Sequence, residues 1–155
     1  MAEKVIVVAG PTASGKTALG IELAKKFNGE IVSADSMQIY RSMDIGTAKA
    51  TPAERAAVPH HMLDVIEPWE DYSVARYVED AAACCEDILR RRKLPVIVGG
   101  TGLYIDSLVS GRDFAQTQED KTLREELNAE YDRAGGEEML RRLAAVDPDR
   151  AAKLH

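Results

Sequence analysis

The eight residues Gly10-Pro11-Thr12-Ala13-Ser14-Gly15-Lys16-Thr17 constrain this chain more than any other stretch. They satisfy G-x-x-x-x-G-K-[ST] at every fixed position, behind the apolar run Val5-Ile6-Val7-Val8-Ala9 and ahead of a helix-forming run over residues 18–26. The two outer glycines allow backbone torsions that a side chain forbids, so successive N–H groups can turn inward around an anion. A helix starting at Lys16 adds its positive dipole end. Lys16 supplies a mobile point charge for phosphate, and the Thr17 hydroxyl is placed to hold Mg²⁺. A plain glycine-rich turn would need none of this agreement. The stretch reads as a phosphate or diphosphate site.

The rest of the first half follows from that loop. Residues 5–9 have the pattern of a parallel strand buried on both faces. The helix after the loop is expected to stop at Asn28-Gly29, and residues 30–34 to form a second strand. A strand–loop–helix–strand order implies a right-handed crossover and a parallel sheet, whose ligands lie beyond the carboxyl ends of the strands. Asp35-Ser36-Met37-Gln38-Ile39-Tyr40 therefore reaches the same rim as the phosphate loop. A lone Asp35 would read as readily as a helix N-cap, but its place beside the anion loop favours a metal ligand or general base. The Gln38 amide suits a base edge and the Tyr40 ring suits stacking, although Met37, Ile39 and Tyr40 also read as simple packing.

Further along, residues 52–58 read as a short helix with Pro52 at its start, and His60-His61 as structural, since the pair lacks metal-ligand spacing. Ser73 is expected to cap a long amphipathic helix with Val74, Tyr77, Val78, Ala81, Ile88 and Leu89 on its buried face. Arg90-Arg91-Arg92-Lys93 reads as its solvated end. Residues 95–99 form the third strand expected, and it ends in Gly99-Gly100-Thr101, where an ATPase of this loop type would carry an acid for Mg²⁺. Mg²⁺ is then left to Thr17, phosphate oxygens, water and Asp35. After Gly111, residues 119–133 and 137–146 read as an αα-hairpin joined at Gly135-Gly136, and Asp147-Pro148 opens a last helical piece.

Composition sets wider bounds. A chain of 155 residues with 45% hydrophobic and 30% charged residues is an ordinary globular sequence, with no run approaching a membrane span. Cys84 and Cys85, adjacent in a helical pattern, suit structural thiols in a reduced, cytoplasmic protein. Net charge is −6, with 12 basic and 15 acidic groups in residues 1–111 and 8 and 11 in residues 112–155. That balance argues mildly against a nucleic-acid partner.

Five separated motifs nonetheless resemble one family. Gly-Pro-Thr-Ala-Ser-Gly-Lys-Thr, Asp-Ser-Met-Gln-Ile-Tyr, Met43-Asp44-Ile45-Gly46-Thr47-Ala48-Lys49, Pro59-His60-His61-Met62-Leu63-Asp64 and Gly99-Gly100-Thr101-Gly102-Leu103-Tyr104 are similar, in order, to those of bacterial tRNA dimethylallyltransferases. The resemblance implies an α/β, P-loop NTPase-like parallel sheet with flanking helices over residues 1–111, followed by an α-helical insert over residues 112–155. It implies transfer of a dimethylallyl group from dimethylallyl diphosphate to N6 of an adenosine beside the tRNA anticodon, with Mg²⁺ as cofactor, in a cytoplasmic monomer. Residues 10–17 would bind the diphosphate or a nucleotide such as ATP. Asp35 would be the base and Thr101 its partner near the bridging oxygen. Asp35, Ser36, Met37, Gln38, Thr101 and Arg124 would contact tRNA. Family members continue into further Arg-containing motifs, so the chain reads as truncated, and alone it is expected to be marginally folded and inactive. A P-loop small-molecule kinase using ATP is the alternative, and a phosphate-binding module without chemistry a second.

Overall fold

The computed structural model describes residues 4–111 and 121–154. The chain divides into two compact units, Met1–Phe114 and Ala115–His155. In the first, β1 (Ile6–Ala9), β2 (Gly29–Ser33), β3 (His60–His61) and β4 (Leu94–Gly99) form one parallel sheet in the order β1-β4-β2-β3. The helices are α1 (Lys16–Lys26), α2 (Pro52–Ala57), α3 (Val74–Arg90) and α4 (Gly102–Val109). This is the α/β arrangement expected from the loop and the crossover, and β4 lies between β1 and β2.

Residues alternate between two cores, as period-two strands buried on both faces require. Ile31, Val96 and Val98 join Ile21 and Ala24 of α1, while Val32 and Ile97 join Tyr77, Ala81 and Ile88 of α3 and Tyr104 and Ile105 of α4. The α3 face carries Tyr77, Ala81, Cys85 and Ile88 at helical spacing, and Ser73 caps it by accepting from the Arg76 N–H. The Tyr77 ring stacks on Tyr104 at 4.0 Å, and its hydroxyl donates to the Ser33 carbonyl at 3.1 Å. Asn28, in the left-handed region at φ 51°, turns the chain from α1 into β2. Thr51 and Glu54 close a capping box at α2.

Three expectations need correction. The strand expected at residues 95–99 is present as β4, but the count of three strands is one short, because two-residue β3 pairs with β2. Residues 5–9 are not buried on both faces: among the described residues β1 pairs with β4 alone, and Val7 is 39% exposed. The cluster after α3 is not merely solvated. The Arg91 guanidinium donates from Nη1 and Nη2 to Glu30 at 2.5 and 2.8 Å, and Lys93 Nζ donates at 2.8 Å. His61 Nε2 closes on the same carboxylate at 2.7 Å.

Glu30 is only 2% exposed, so it is tolerable as an anion only with these partners. The Arg91 hydrogen bonds, helped by Lys93 and His61, outweigh burial and hold its carboxyl far below the ordinary value of 4.5. An unfolded chain binds this proton near 4.5 and the folded chain does not, so the contribution is complete above that pH and is lost as pH falls below it. Glu30→Gln is expected to lower neutral-pH stability by about 2–3 kcal/mol, less than for a fully desolvated pair since both cations are partly exposed. It should also flatten the acid limb below pH 4.5. Denaturant melts of both proteins between pH 3 and 7 check this; parallel pH profiles would remove Glu30 from acid lability.

In the second unit, α5 (Lys121–Ala134) and α6 (Gly136–Val146) meet at Gly135, whose φ of 81° suits glycine. Asp147 caps α7 (Pro148–Ala151) by accepting from the Arg150 N–H at 2.9 Å. The expected start of the hairpin at residues 119–120 lies outside the described residues.

Candidate active site

The phosphate loop joins β1 to α1. Ala13 (φ 63°) and Gly15 (φ 83°) are both left-handed, and alternating such residues turns amides to one side as an anion-binding nest. No side chain caps α1 at Gly15, so its first-turn amides remain available to an anion. The Pro11 carbonyl accepts from Ser14 Oγ at 2.8 Å and from Lys16 Nζ at 2.5 Å, which keeps the ammonium over the loop. Thr17, half-buried in the first turn, lines a void of about 20 Å³ with Ser33, Gln38 and His60.

Facing the loop are the ends of β2 and β4, stitched together. The Thr101 N–H donates to the Ala34 carbonyl at 3.1 Å, and Thr101 Oγ1 accepts from the Ser36 N–H at 3.0 Å. Gly99 is what permits this approach: a Cβ there would lie 2.1 Å from the Ala34 carbonyl oxygen. Asp35 Oδ1 accepts from the Met37 and Gln38 amides at 2.9 and 3.3 Å. The carboxylate thus caps the turn that follows, while Oδ2 makes no hydrogen bond among the described residues. Both readings of Asp35 are therefore compatible with one side chain.

A cleft of about 900 Å³ brings together Gly10, Pro11, Thr12, Asp35, Met37 and Thr101. Its remaining wall is Gly100 and the segment of residues 42–47. Ser36 reaches this rim through Thr101, and Gln38 is turned to another task. Its Nε2 donates to the Thr47 carbonyl at 3.0 Å, and its Oε1 accepts from Ser33 Oγ at 3.2 Å. Arg124 lies on α5, exposed, in the second unit. The Nδ1 of His60 donates to the Val58 carbonyl at 2.7 Å, and burial pushes the imidazole pKa down. Among the described residues no group of three His, Cys, Asp or Glu side chains suits a metal. Mg²⁺ is habitually held by one or two protein oxygens, phosphates and water, and Thr17 and Asp35 carry oxygens of that kind.

Sequence reasoning passed over one polar network behind this wall. Lys49 Nζ donates to the Tyr40 carbonyl at 2.7 Å, Asp64 Oδ1 at 2.7 Å and Asp44 Oδ1 at 2.9 Å. Arg55 Nη1 takes Asp64 Oδ2 at 2.7 Å. Burial pushes the Asp64 carboxyl up, but Lys49 and Arg55 together outweigh it and hold it below the ordinary value. The only sequence signal was the presence of Lys49 and Asp64 as the last residues of two motifs.

Loop, stitched strand ends and cleft together define a phosphate-loop α/β protein with a carboxylate at the rim of its anion site. Residues 38–155 match the family model described as "IPP transferase", and residues 3–64 match "Isopentenyl transferase". The chain belongs to the IPP transferase family. It is 49% identical over 155 residues to the tRNA dimethylallyltransferase of Caldanaerobacter subterraneus, and 50% identical to that of Geobacillus thermodenitrificans. Each match takes in all of this chain and 49% of the relative, so the chain spans about half the length of these curated relatives. The full-length tRNA isopentenylpyrophosphate transferase of Bacillus halodurans superposes with a TM-score of 0.72 at 42% identity, over 99% of this chain and 51% of that one. A eukaryotic dimethylallyltransferase described as acting on tRNA superposes at 0.84 with 38% identity, over 99% and 38%. The fold is thus the P-loop NTPase-like sheet anticipated above. No helix among the described residues is long and apolar enough to cross a membrane.

Proposed function

We propose that this chain carries the diphosphate site and the general base of a tRNA dimethylallyltransferase, which moves a dimethylallyl group from dimethylallyl diphosphate to N6 of an adenosine beside the anticodon. The observation that carries the reading is the single cleft shared by residues 10–12 of the phosphate loop, Asp35 and Thr101.

An exocyclic amine is a weak nucleophile because its lone pair is delocalised into the ring. N6 attacks the allylic C1, the C1–O bond breaks with its electron pair leaving on the diphosphate, and the N6 proton passes to Asp35 Oδ2. The Met37 and Gln38 amides on Oδ1 orient that carboxylate. Loop amides of residues 13–17 and Lys16 stabilise the negative charge that develops on the leaving group. Mg²⁺, when bound through Thr17, adds further charge stabilisation at the diphosphate. Thr101, fixed between the Ala34 carbonyl and the Ser36 amide, offers its hydroxyl near the bridging oxygen. The adenine leaves its stack to enter the cleft, at a cost of a few kcal/mol that a loop context reduces. Asp35, Ser36, Met37, Thr101 and Arg124 contact the tRNA, and Gln38 contributes chiefly by holding the wall through Thr47. The protein acts as a cytoplasmic monomer.

The relatives named above are transferases and lend the kinase alternative no support. Calorimetric titration separates the two readings in a protein carrying this chain at the length of its relatives. Pyrophosphate and dimethylallyl diphosphate should bind with Mg²⁺, and ATP clearly more weakly. Tight ATP binding without affinity for dimethylallyl diphosphate would favour the kinase.

A further inference from the structure

Residues 42–47 form one wall of the cleft, yet almost nothing apolar anchors them: Ile45 is 98% exposed. Ser42 (φ 61°) and Ala48 (φ 49°), which bracket the wall, are both in the left-handed region that non-glycine residues avoid. Such torsions persist only where surrounding contacts over-determine them. Gln38 holds one end of the wall at the Thr47 carbonyl, and the charged contacts converge on Lys49, whose side chain is 1% exposed. An ammonium has three N–H donors, and each has an acceptor: the Tyr40 carbonyl before the wall, Asp44 within it, and Asp64 beyond β3. The Lys49 N–H adds a bond to the Asp44 carbonyl at 3.3 Å.

We propose that Lys49 is a positioning residue, a buried latch that ties residues 42–47 to Asp64 and so fixes the cleft wall against which the organic part of a diphosphate substrate is held. The latch rests on the diphosphate-site reading above only for the identity of that substrate. It does not touch the phosphate loop, so it should govern the allyl end of the ligand and not the anion end. Arg55 keeps Asp64 paired when Lys49 is removed, which leaves no buried carboxylate stranded.

Lys49→Met keeps the length and removes the charge. Read by hydrogen exchange, amides of residues 43–48 should exchange at least ~10-fold faster while β2 and β4 amides are unchanged. Affinity for dimethylallyl diphosphate should fall roughly 10-fold, with pyrophosphate affinity held within about twofold. Asp44→Asn, at a carboxylate that is 64% exposed, should show the same two changes at smaller amplitude. If Lys49→Met does not fold, Asp44→Asn decides by the same readouts. Unchanged exchange of the wall in the folded variant, or equal loss of both ligands, overturns the latch. A wild-type protein that binds pyrophosphate but not dimethylallyl diphosphate would sink the substrate reading instead, with exchange still deciding the latch.

Discussion

In Asp35→Asn, dimethylallyl transfer is expected to fall at least ~10²-fold while pyrophosphate affinity stays within about twofold, the range for losing a general base from an intact site. The two carboxylate oxygens do different work. Oδ1 caps the turn by accepting from the Met37 and Gln38 amides, and an asparagine carbonyl oxygen can keep both bonds. Oδ2 is the atom exchanged for an amide nitrogen, which cannot accept the N6 proton. The turn, the Thr101–Ser36 stitch and the phosphate loop should all survive. Single-turnover rates measured beside pyrophosphate titrations separate chemistry from binding; near wild-type turnover would remove Asp35 from the role.

The second large effect is on affinity. Lys16→Ala should weaken pyrophosphate and dimethylallyl diphosphate alike by about 2–3 kcal/mol, the low end of the cost of stripping one partner from a charge pair. The low end applies because residues 11–15 are exposed and water screens the pair. The ammonium already lies over the loop on the Pro11 carbonyl, so little reorganisation is needed for it to meet a phosphate oxygen. Backbone amides remain in the variant, so residual binding is expected. A change of less than threefold in calorimetric affinity would assign anion recognition to the amides alone.

What the sequence disclosed and withheld divides along chain distance. The loop, α1, β2, α3 and β4 were legible because their signals are local: glycines at fixed spacing, β-branched runs, and apolar residues three and four apart. His60-His61 showed no strand signal, because β3 exists through backbone pairing with the exposed edge of β2. Arg91 and Lys93 looked like a solvated helix end since their acceptor, Glu30, is 61 and 63 residues earlier. Residues 5–9 have the composition of a central strand, and composition does not say that among the described residues β4 alone pairs with them. At the site, Asp35 and Thr101 were located by the rule that ligands gather at the carboxyl ends of parallel strands. Lys49 escaped it because its partners come from residues 40, 44 and 64, and no periodicity links them. The acceptor of the Gln38 amide at Thr47 was likewise invisible in the local pattern.

One measurement follows the fate of the allyl group directly. A protein carrying this chain at the length of its relatives is incubated with dimethylallyl diphosphate, Mg²⁺ and unmodified tRNA, and the digested nucleosides are read by mass spectrometry. The expected result is N6-dimethylallyladenosine, with one diphosphate released per adduct, and none when the adenosine beside the anticodon is replaced. Absence of that nucleoside, together with ATP-dependent phosphorylation of a small molecule by the same protein, would contradict it.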